Sequence, residues 1–495
     1  MSFEIGFDND KYIKMQSEHI MERINKFGDK LYLELGGKLF DDFHASRVLP
    51  GFMPDSKIKM LMSLKDELEI VIAISSVDIV KNKIRSDYNI TYDLDTLRLI
   101  DAFREIGFLV ESVVITQYNG EPAVDIFKKK LEKLGMRVYL HYPIEGYPTN
   151  VDLIVSDDGY GKNEYIETSR RLVVVTAPGP GSGKMATCLS QLYHENQRGV
   201  KAGYAKFETF PIWNLPLKHP VNLAYEAATV DLNDINMIDP FHLSAYNLSS
   251  INYNRDIEIF PVVNTIFEKI LGESPYKSPT DMGVNMAGNC IFDDEAVCKS
   301  AKAEIIRRYY HTMCDSVRGV VEKSTIMKME LIMKQAGIST DDRRVVAAAL
   351  KKAEMTGGPA VAIELKNGEI VTGKTSALLG ASSAALLNAL KVLAGIDDEI
   401  ELMPSAIIEP VQDLKVNHLG NRNPRLHTDE ILTALSICAT MDENAKKAYA
   451  MIDELKYAQV HSTVILSQTD SQIFKKLKME LTQEPVYQSQ KLYQR

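Results

Sequence analysis

The sequence is poor in the features that would tie it to several large functional classes. It has five cysteines in 495 residues, Cys188, Cys290, Cys298, Cys314 and Cys438, and no C-x-x-C pair. An odd, scattered set excludes a disulfide framework and fits reduced, buried thiols. No run reaches the roughly 18 apolar residues a membrane helix needs. The opening MSFEIGFDNDKYIK is polar where a secretory signal is apolar, so a cytoplasmic protein with no membrane partner is expected. Basic residues are outnumbered, 57 to 67, for a net charge of -10, and no basic patch compensates; this argues against a nucleic-acid partner. H-E-x-x-H, G-x-S-x-G and an early G-x-G-x-x-G are all missing. Zinc peptidase, serine hydrolase and ordinary nicotinamide-dependent chemistry therefore lose their main support.

What is present is globular. Hydrophobic residues at 45% and charged residues at 25% match an ordinary soluble domain, and the length is too great for one core. Up to about residue 190, apolar β-rich runs alternate with amphipathic stretches, the pattern of a parallel sheet with crossover helices. The runs at 30–35, 68–75, 112–117, 137–141, 152–156 and 171–176 predict strands; 94–106 and 123–134 predict helices, each stopped by a glycine. Because the strands are apolar almost throughout, both sheet faces should be covered. The expected fold is thus α/β, doubly wound and mostly parallel, over residues 1–336, with an irregular insert at about 200–290. A smaller α/β or α+β domain follows at 337–495. Within it, Lys366-Asn367-Gly368-Glu369 predicts a β-hairpin with a type I′ turn, 406–409 a strand, and 343–355, 384–394, 428–440 and 445–455 helices.

The richest local signal is APGPGSGK at 177–184. It joins a buried strand to a helix through Gly179, Gly181, Ser182, Gly183 and Lys184. Glycines let backbone amides converge on an anion, the helix start adds partial positive charge, and Lys184 supplies a full one. The match to the P-loop pattern is incomplete: Pro178 stands at the first glycine and Met185 replaces the magnesium-binding hydroxyl. Two readings stay open, a phosphate cradle and a tight connection that uses glycine for packing alone. Asp157 and Asp158 end an apolar run as magnesium ligands would, or as solvated turn acids.

A second loop, at 36–47, leaves another strand end, where open α/β sheets bind ligands. Lys38, His44 and Arg47 suit an anionic group there, and His44 can move protons near neutral pH. The insert carries Lys206, Glu208, Trp213, His219, Asp234 and His242, a density that suits a substrate wall, though no pair has metal-ligand spacing. The second domain offers Thr372-Gly373-Lys374-Thr375 before a helix, and Arg425 and His427.

Four long blocks, GGKLFDDFHASRVLPGFMPDSK, APGPGSGKMATCLSQLYHE, KFETFPIWNLPLKHPVNLAYEAATVDLNDINMIDPFH and NPRLHTDE, resemble a bacterial family of unknown function, the domain of unknown function 1846 family. The resemblance spans nearly the whole chain. Some members carry the label ATP-dependent peptidase, for which no peptidase motif is present here, and the resemblance transfers no catalytic residue. The expectation is an enzyme of small-molecule metabolism that takes a small phosphate-bearing ligand, such as a nucleotide with magnesium, and forms a homo-oligomer. The alternative is a non-catalytic oligomeric binding or scaffolding protein with structural glycine turns.

Overall fold

The computed structural model describes residues 4–37, 39–40, 42–85 and 89–489. They form two compact units. One comprises residues 6–225 and 234–297; the other comprises 4–5, 226–233 and 298–489.

The first unit is built on seven strands: β1 (Lys30–Leu35), β2 (Leu68–Ser75), β3 (Leu109–Thr116), β4 (Arg137–Leu140), β5 (Leu172–Thr176), β6 (Ala202–Phe207) and β7 (Gly283–Val284). Their order is β7-β6-β1-β5-β2-β3-β4, and every neighbouring pair is parallel. Both faces are buried, as the continuous apolar runs require. Leu31, Leu33, Ile70, Ile72, Leu172 and Val174 face α1 (Asn9–Phe27), α2 (Ser56–Met62), α3 (Tyr92–Ile106) and α4 (Pro122–Lys133). The alternate residues Tyr32, Val71, Ala73, Val173 and Val175 face α5 (Lys184–Gln197) and α6 (Asn254–Leu271). Helix starts and stops follow local chemistry. The Asp8 carboxylate caps α1 by accepting from the Lys11 amide at 3.0 Å, and Gly28 ends it at φ 91°.

Several expectations need correction. The run at 152–156 is not a strand: Asn150 accepts from the Leu153 amide at 3.3 Å and closes a helical turn, Val151–Ile154. A short apolar run alone does not separate the two states. The segment at 200–290, read as an irregular insert, supplies β6, β7 and α6 to the main layers. Its middle does run as short helices and a two-stranded ribbon, Asn236–Ile238 with Ile251–Tyr253.

In the second unit, β8 (Ala360–Glu364), β9 (Ile370–Lys374), β10 (Gln459–Ser462) and β11 (Glu480–Gln483) form a mixed sheet ordered β9-β8-β10-β11. It is covered by α7 (Arg344–Thr356), α8 (Ala381–Leu393) and further helices. The β8–β9 hairpin is present, but Gly368 alone in its turn has positive φ, 82°, and its amide donates to the Leu365 carbonyl at 2.9 Å. That is a type I turn closed by a left-handed glycine, not type I′. The strand expected at 406–409 lies inside a helix, Ser405–Asp413. Gly373 of the GKT triplet lies against α8 so closely that a Cβ would come within 2.1 Å of the Ala385 nitrogen.

Phe267 on α6 is wholly buried and sits 5.9 Å from the Tyr204 ring and 5.5 Å from the Tyr276 ring. Phe267→Ala should cost about 3–5 kcal/mol, read as a lower urea midpoint for this unit. An unchanged midpoint would show that the aromatic layer does not hold α6 to the sheet.

Candidate functional site at the carboxyl ends of the central strands

Right-handed crossovers place α2 and α3, which follow β1 and β2, on one face, and α5, which follows β5, on the other. Chains leaving adjacent strand ends in opposite directions open a crevice, the usual ligand position in doubly wound sheets.

The turn at 177–183 begins at the end of β5. Gly181 and Gly183 have φ of 77° and 80°, values that a side chain would strain. Gly179 serves packing: a Cβ there would fall 2.2 Å from the Tyr92 hydroxyl. The Thr116 hydroxyl donates to the Ser182 carbonyl at 2.9 Å and braces the turn from β3. The Ser182 hydroxyl is spent internally on the Gly179 carbonyl at 2.9 Å, and that of Thr187 on the Gly183 carbonyl at 3.0 Å.

The helix start itself is left open. Gly183 is its N-cap and offers no side-chain cap, and the first helical bond runs from the Thr187 amide to the Gly183 carbonyl at 2.9 Å. Among the described residues, the amides of Lys184, Met185 and Ala186 donate to no protein carbonyl, and the half-buried Lys184 ammonium has no ion pair or hydrogen bond.

A buried charge cluster stands on the other side of β1. Glu34 on β1 is in register with Val175 on β5 and Lys206 on β6, and accepts from the Tyr204 hydroxyl at 2.7 Å. The Lys206 ammonium donates to the Asp256 carboxylate and the Tyr253 hydroxyl, and lies 2.9 Å from Glu208 Oε1. Asp234 is matched separately by Arg255, at 2.6 and 2.9 Å. Two carboxylates, Asp256 and Glu208, thus share one lysine in a low-dielectric setting, with Glu34 beside it in the sheet register. Burial pushes the Glu208 carboxyl up to about 7, with Asp256 adding to the rise and Lys206 opposing it.

Of the residues expected from sequence, Lys38 lies outside the described residues. His44 sits on a short helix capped by Asp42, its ring 5.4 Å from Phe210, and Arg47 is half-buried on the same helix. Phe210 stacks on Tyr225 at 6.0 Å, and Tyr225 lies 6.3 Å from Tyr253, so a row of rings runs from His44 to the lysine cluster. Asp42 forms a buried pair with Lys57 at 2.8 Å, which outweighs burial and holds its carboxyl below the usual range. Asp157 and Asp158 are not brought to the turn. Asp157 accepts from Tyr193, more than two helical turns beyond Lys184, at 2.7 Å, and Asp158 is an exposed partner of Lys162 at 3.3 Å. Lys206, Glu208 and Trp213 were visible in the insert; Asp256, Tyr253 and the pairing with Glu34 were not. The local signal for them is a carboxylate set within or directly before an apolar run, Glu34 in LYLEL and Asp256 before IEIF.

In the second unit, His427 Nδ1 meets Asp470 at 3.0 Å, and Asp470 also accepts from the Thr428 amide and hydroxyl and the Ser467 hydroxyl, at 2.9, 3.0 and 2.9 Å. Arg425 is spent on the Ser376 carbonyl at 2.7 Å.

The profile described as domain of unknown function DUF1846, N-terminal, matches residues 5–337, and its C-terminal counterpart matches 341–493. The chain belongs to the DUF1846 family. It is 57% identical over 490 residues to UPF0371 protein stu1377 of Streptococcus thermophilus, with 99% of each chain covered. It is 56% identical over 490 residues to a UPF0371 protein of Streptococcus pneumoniae, again with 99% of each covered. A UPF0371 protein of Streptococcus sanguinis is 56% identical over 492 residues, covering 99% of this chain and 100% of that one. Among the described residues of this family member, no helix is long and apolar enough to cross a membrane.

Two tests follow from the electrostatics. A carboxyl raised on folding binds its proton more tightly in the native state, so stability falls as pH rises from the ordinary glutamate value of 4.5 to about 7. Glu208→Gln should remove that loss, making the protein more stable than wild type at pH 8 by about 1–3 kcal/mol, with the gap closing towards pH 5. A variant that is less stable at both pH values would contradict the assignment. For the His427–Asp470 pair, the hydrogen bond raises the imidazole, while His427 holds Asp470 low despite its burial. The carboxylate's contribution is present above its unfolded value and the imidazolium's is lost as pH rises through the folded histidine value. Asp470→Asn should therefore cost about 1.5–3 kcal/mol, most visibly between about pH 4 and 6.5. Urea unfolding across that range checks both.

Proposed function

We propose that the chain is an enzyme of small-molecule metabolism whose ligand carries a phosphate group, as a nucleotide does, seated on the start of α5. The observation that carries this reading is the unpaired Lys184 ammonium beside three helix-start amides without protein acceptors. An anion there would satisfy donors that water alone otherwise serves, and would meet both the helix dipole and a full positive charge. The crevice position, at the strand whose crossover takes the opposite face from its neighbours, favours the same conclusion. The incomplete P-loop spacing favours binding through backbone and Lys184 over a magnesium ion held by a helix-start hydroxyl, since the Thr187 hydroxyl is committed to Gly183. In this reading any magnesium arrives with the nucleotide. In this reading His44, Arg47 and the Lys206–Glu208 pair supply the groups for chemistry beyond the phosphate.

Thermal shift with ATP, GTP, inorganic phosphate and magnesium, each at millimolar concentration, tests it. A ligand at ten times its Kd stabilises the native state by about 1.4 kcal/mol, a rise of a few degrees. Lys184→Met should abolish the rise without lowering the unliganded Tm. Flat responses of the wild type across the panel would refute the proposal.

A further inference from the structure

The two-stranded ribbon of Asn236–Ile238 with Ile251–Tyr253 has an edge that stays open. At one end of the pair the Asn254 amide donates to the Ile235 carbonyl at 2.9 Å, and at the other the Asp239 amide donates to the Ser250 carbonyl, also at 2.9 Å. Bonded and non-bonded pairs alternate along antiparallel strands, so Ile238 and Ile251 form a non-bonded pair whose peptide groups point outward. The outward Ile251 amide is used, donating to the Trp213 carbonyl at 3.0 Å. The outward Ile238 amide and carbonyl are not: among the described residues neither has a protein partner.

The surface around that edge is apolar and uncharged. Ile235, Met237, Ile238, Leu243, Tyr246 and Leu248 are each more than 40% exposed. No Lys, Arg or Glu lies between Ile235 and Asn254, and the one Asp, Asp239, is wholly buried as the cap of the helix Pro240–Tyr246. Charges beside the stretch come two of each sign. Arg255 matches Asp234 at 2.6 Å, Asp281 accepts from the Tyr246 hydroxyl at 2.8 Å, and the Lys277 ammonium stands 5.7 Å from the centre of the Tyr246 ring. An apolar surface rimmed by balanced charge, with a strand edge left open, is the form of a place where another strand docks.

We propose that this ribbon is the interface of a homodimer, in which the Ile238 edge pairs antiparallel with the same edge of a second copy of the chain. A twofold axis lays an edge on itself, so the Ile238 amide of each copy donates to the Ile238 carbonyl of the other. One residue supplies both halves of the bonded pair, and its side chain lies opposite its own counterpart, with Cα atoms about 5.5 Å apart. Leu243, Tyr246 and Leu248 supply the apolar surface that the second copy covers beside it. Charge selects the occupant. Each chain carries a net charge of -10, so two copies approach most readily through a surface that sets no acid against acid. The same lack of a basic cluster gives an anionic membrane surface nothing to hold.

Sedimentation velocity and cysteine cross-linking of the full chain test this. Wild type should sediment at twice the chain mass at micromolar concentration, in low and high salt alike. Ile238→Cys should form a disulfide-linked dimer under mild oxidation, because the expected Cα separation lies within disulfide range. Ile126→Cys, on an exposed position of α4, should not. Ile238→Glu and Ile238→Lys should each weaken the dimer at least tenfold, and an equimolar mixture of the two should recover it as a heterodimer, since only there do opposite charges meet across the axis. Thermal unfolding checks that the charged variants keep the fold; should either lose it, the cysteine cross-link decides alone. A monomeric wild type overturns the proposal and leaves the surface to a different partner. A dimer that Ile238→Cys does not cross-link, or that a folded Ile238→Glu leaves intact, also overturns it and places the contact on another face.

Discussion

Because β5 enters the sheet between β1 and β2, after both have already been laid down in the chain, its crossover to β6 must run in the opposite direction and cover the opposite face. That single insertion sets the geometry of the carboxyl edge. It lifts the glycine turn out of the sheet beside strand ends whose loops fold the other way, and it points the start of α5 into the space between them. The turn's glycines divide the labour: Gly179 makes room for the Tyr92 ring, while Gly181 and Gly183 bend the backbone into the left-handed region. The connection is therefore both a packing device and an open helix start, and the two readings of the motif do not compete.

The same edge collects charge that the core does not balance. Glu304 in the second unit shows what a structural buried carboxylate looks like here: its two oxygens take Arg307 at 2.5 and 2.6 Å, with Arg308 adding a contact at 2.9 Å. Glu208 has no such arrangement. Glu208 shares its one cation, Lys206, with Asp256, and perturbed buried acids concentrate where proteins do chemistry.

The main sheet was legible where composition left one solution. The run at 68–75 is apolar at nearly every position and reads as a strand covered on both faces; 94–106 has helical spacing and a glycine stop. Where a run was short, the state depended on a neighbour, as with Asn150, which caps a helical turn at Val151–Ile154 where a strand was expected. Strand β6 was hidden because Lys206 lies within it and Glu208 directly follows, and β7 because it has only two residues, held by pairing rather than propensity. Of the candidate site, the glycine turn could be read locally, since its donors are contiguous. The lysine cluster could not, because Glu34, Lys206 and Asp256 meet only once the register of β1 with β6 and the docking of α6 are set.

Every pairing in the large sheet is parallel, and β1 has both of its neighbours, β5 and β6, far downstream, at residues 172–207. At about 5–20 residues per second, roughly 7 to 27 seconds of synthesis separate the emergence of β1 from that of its first partner. During that interval the strand LYLEL carries two unsatisfied edges and an apolar surface, and no local hairpin can shelter it. Such a topology folds late and is exposed to aggregation while it waits. Strand order alone thus makes β1 a segment that must wait for distant chain before its edges can pair.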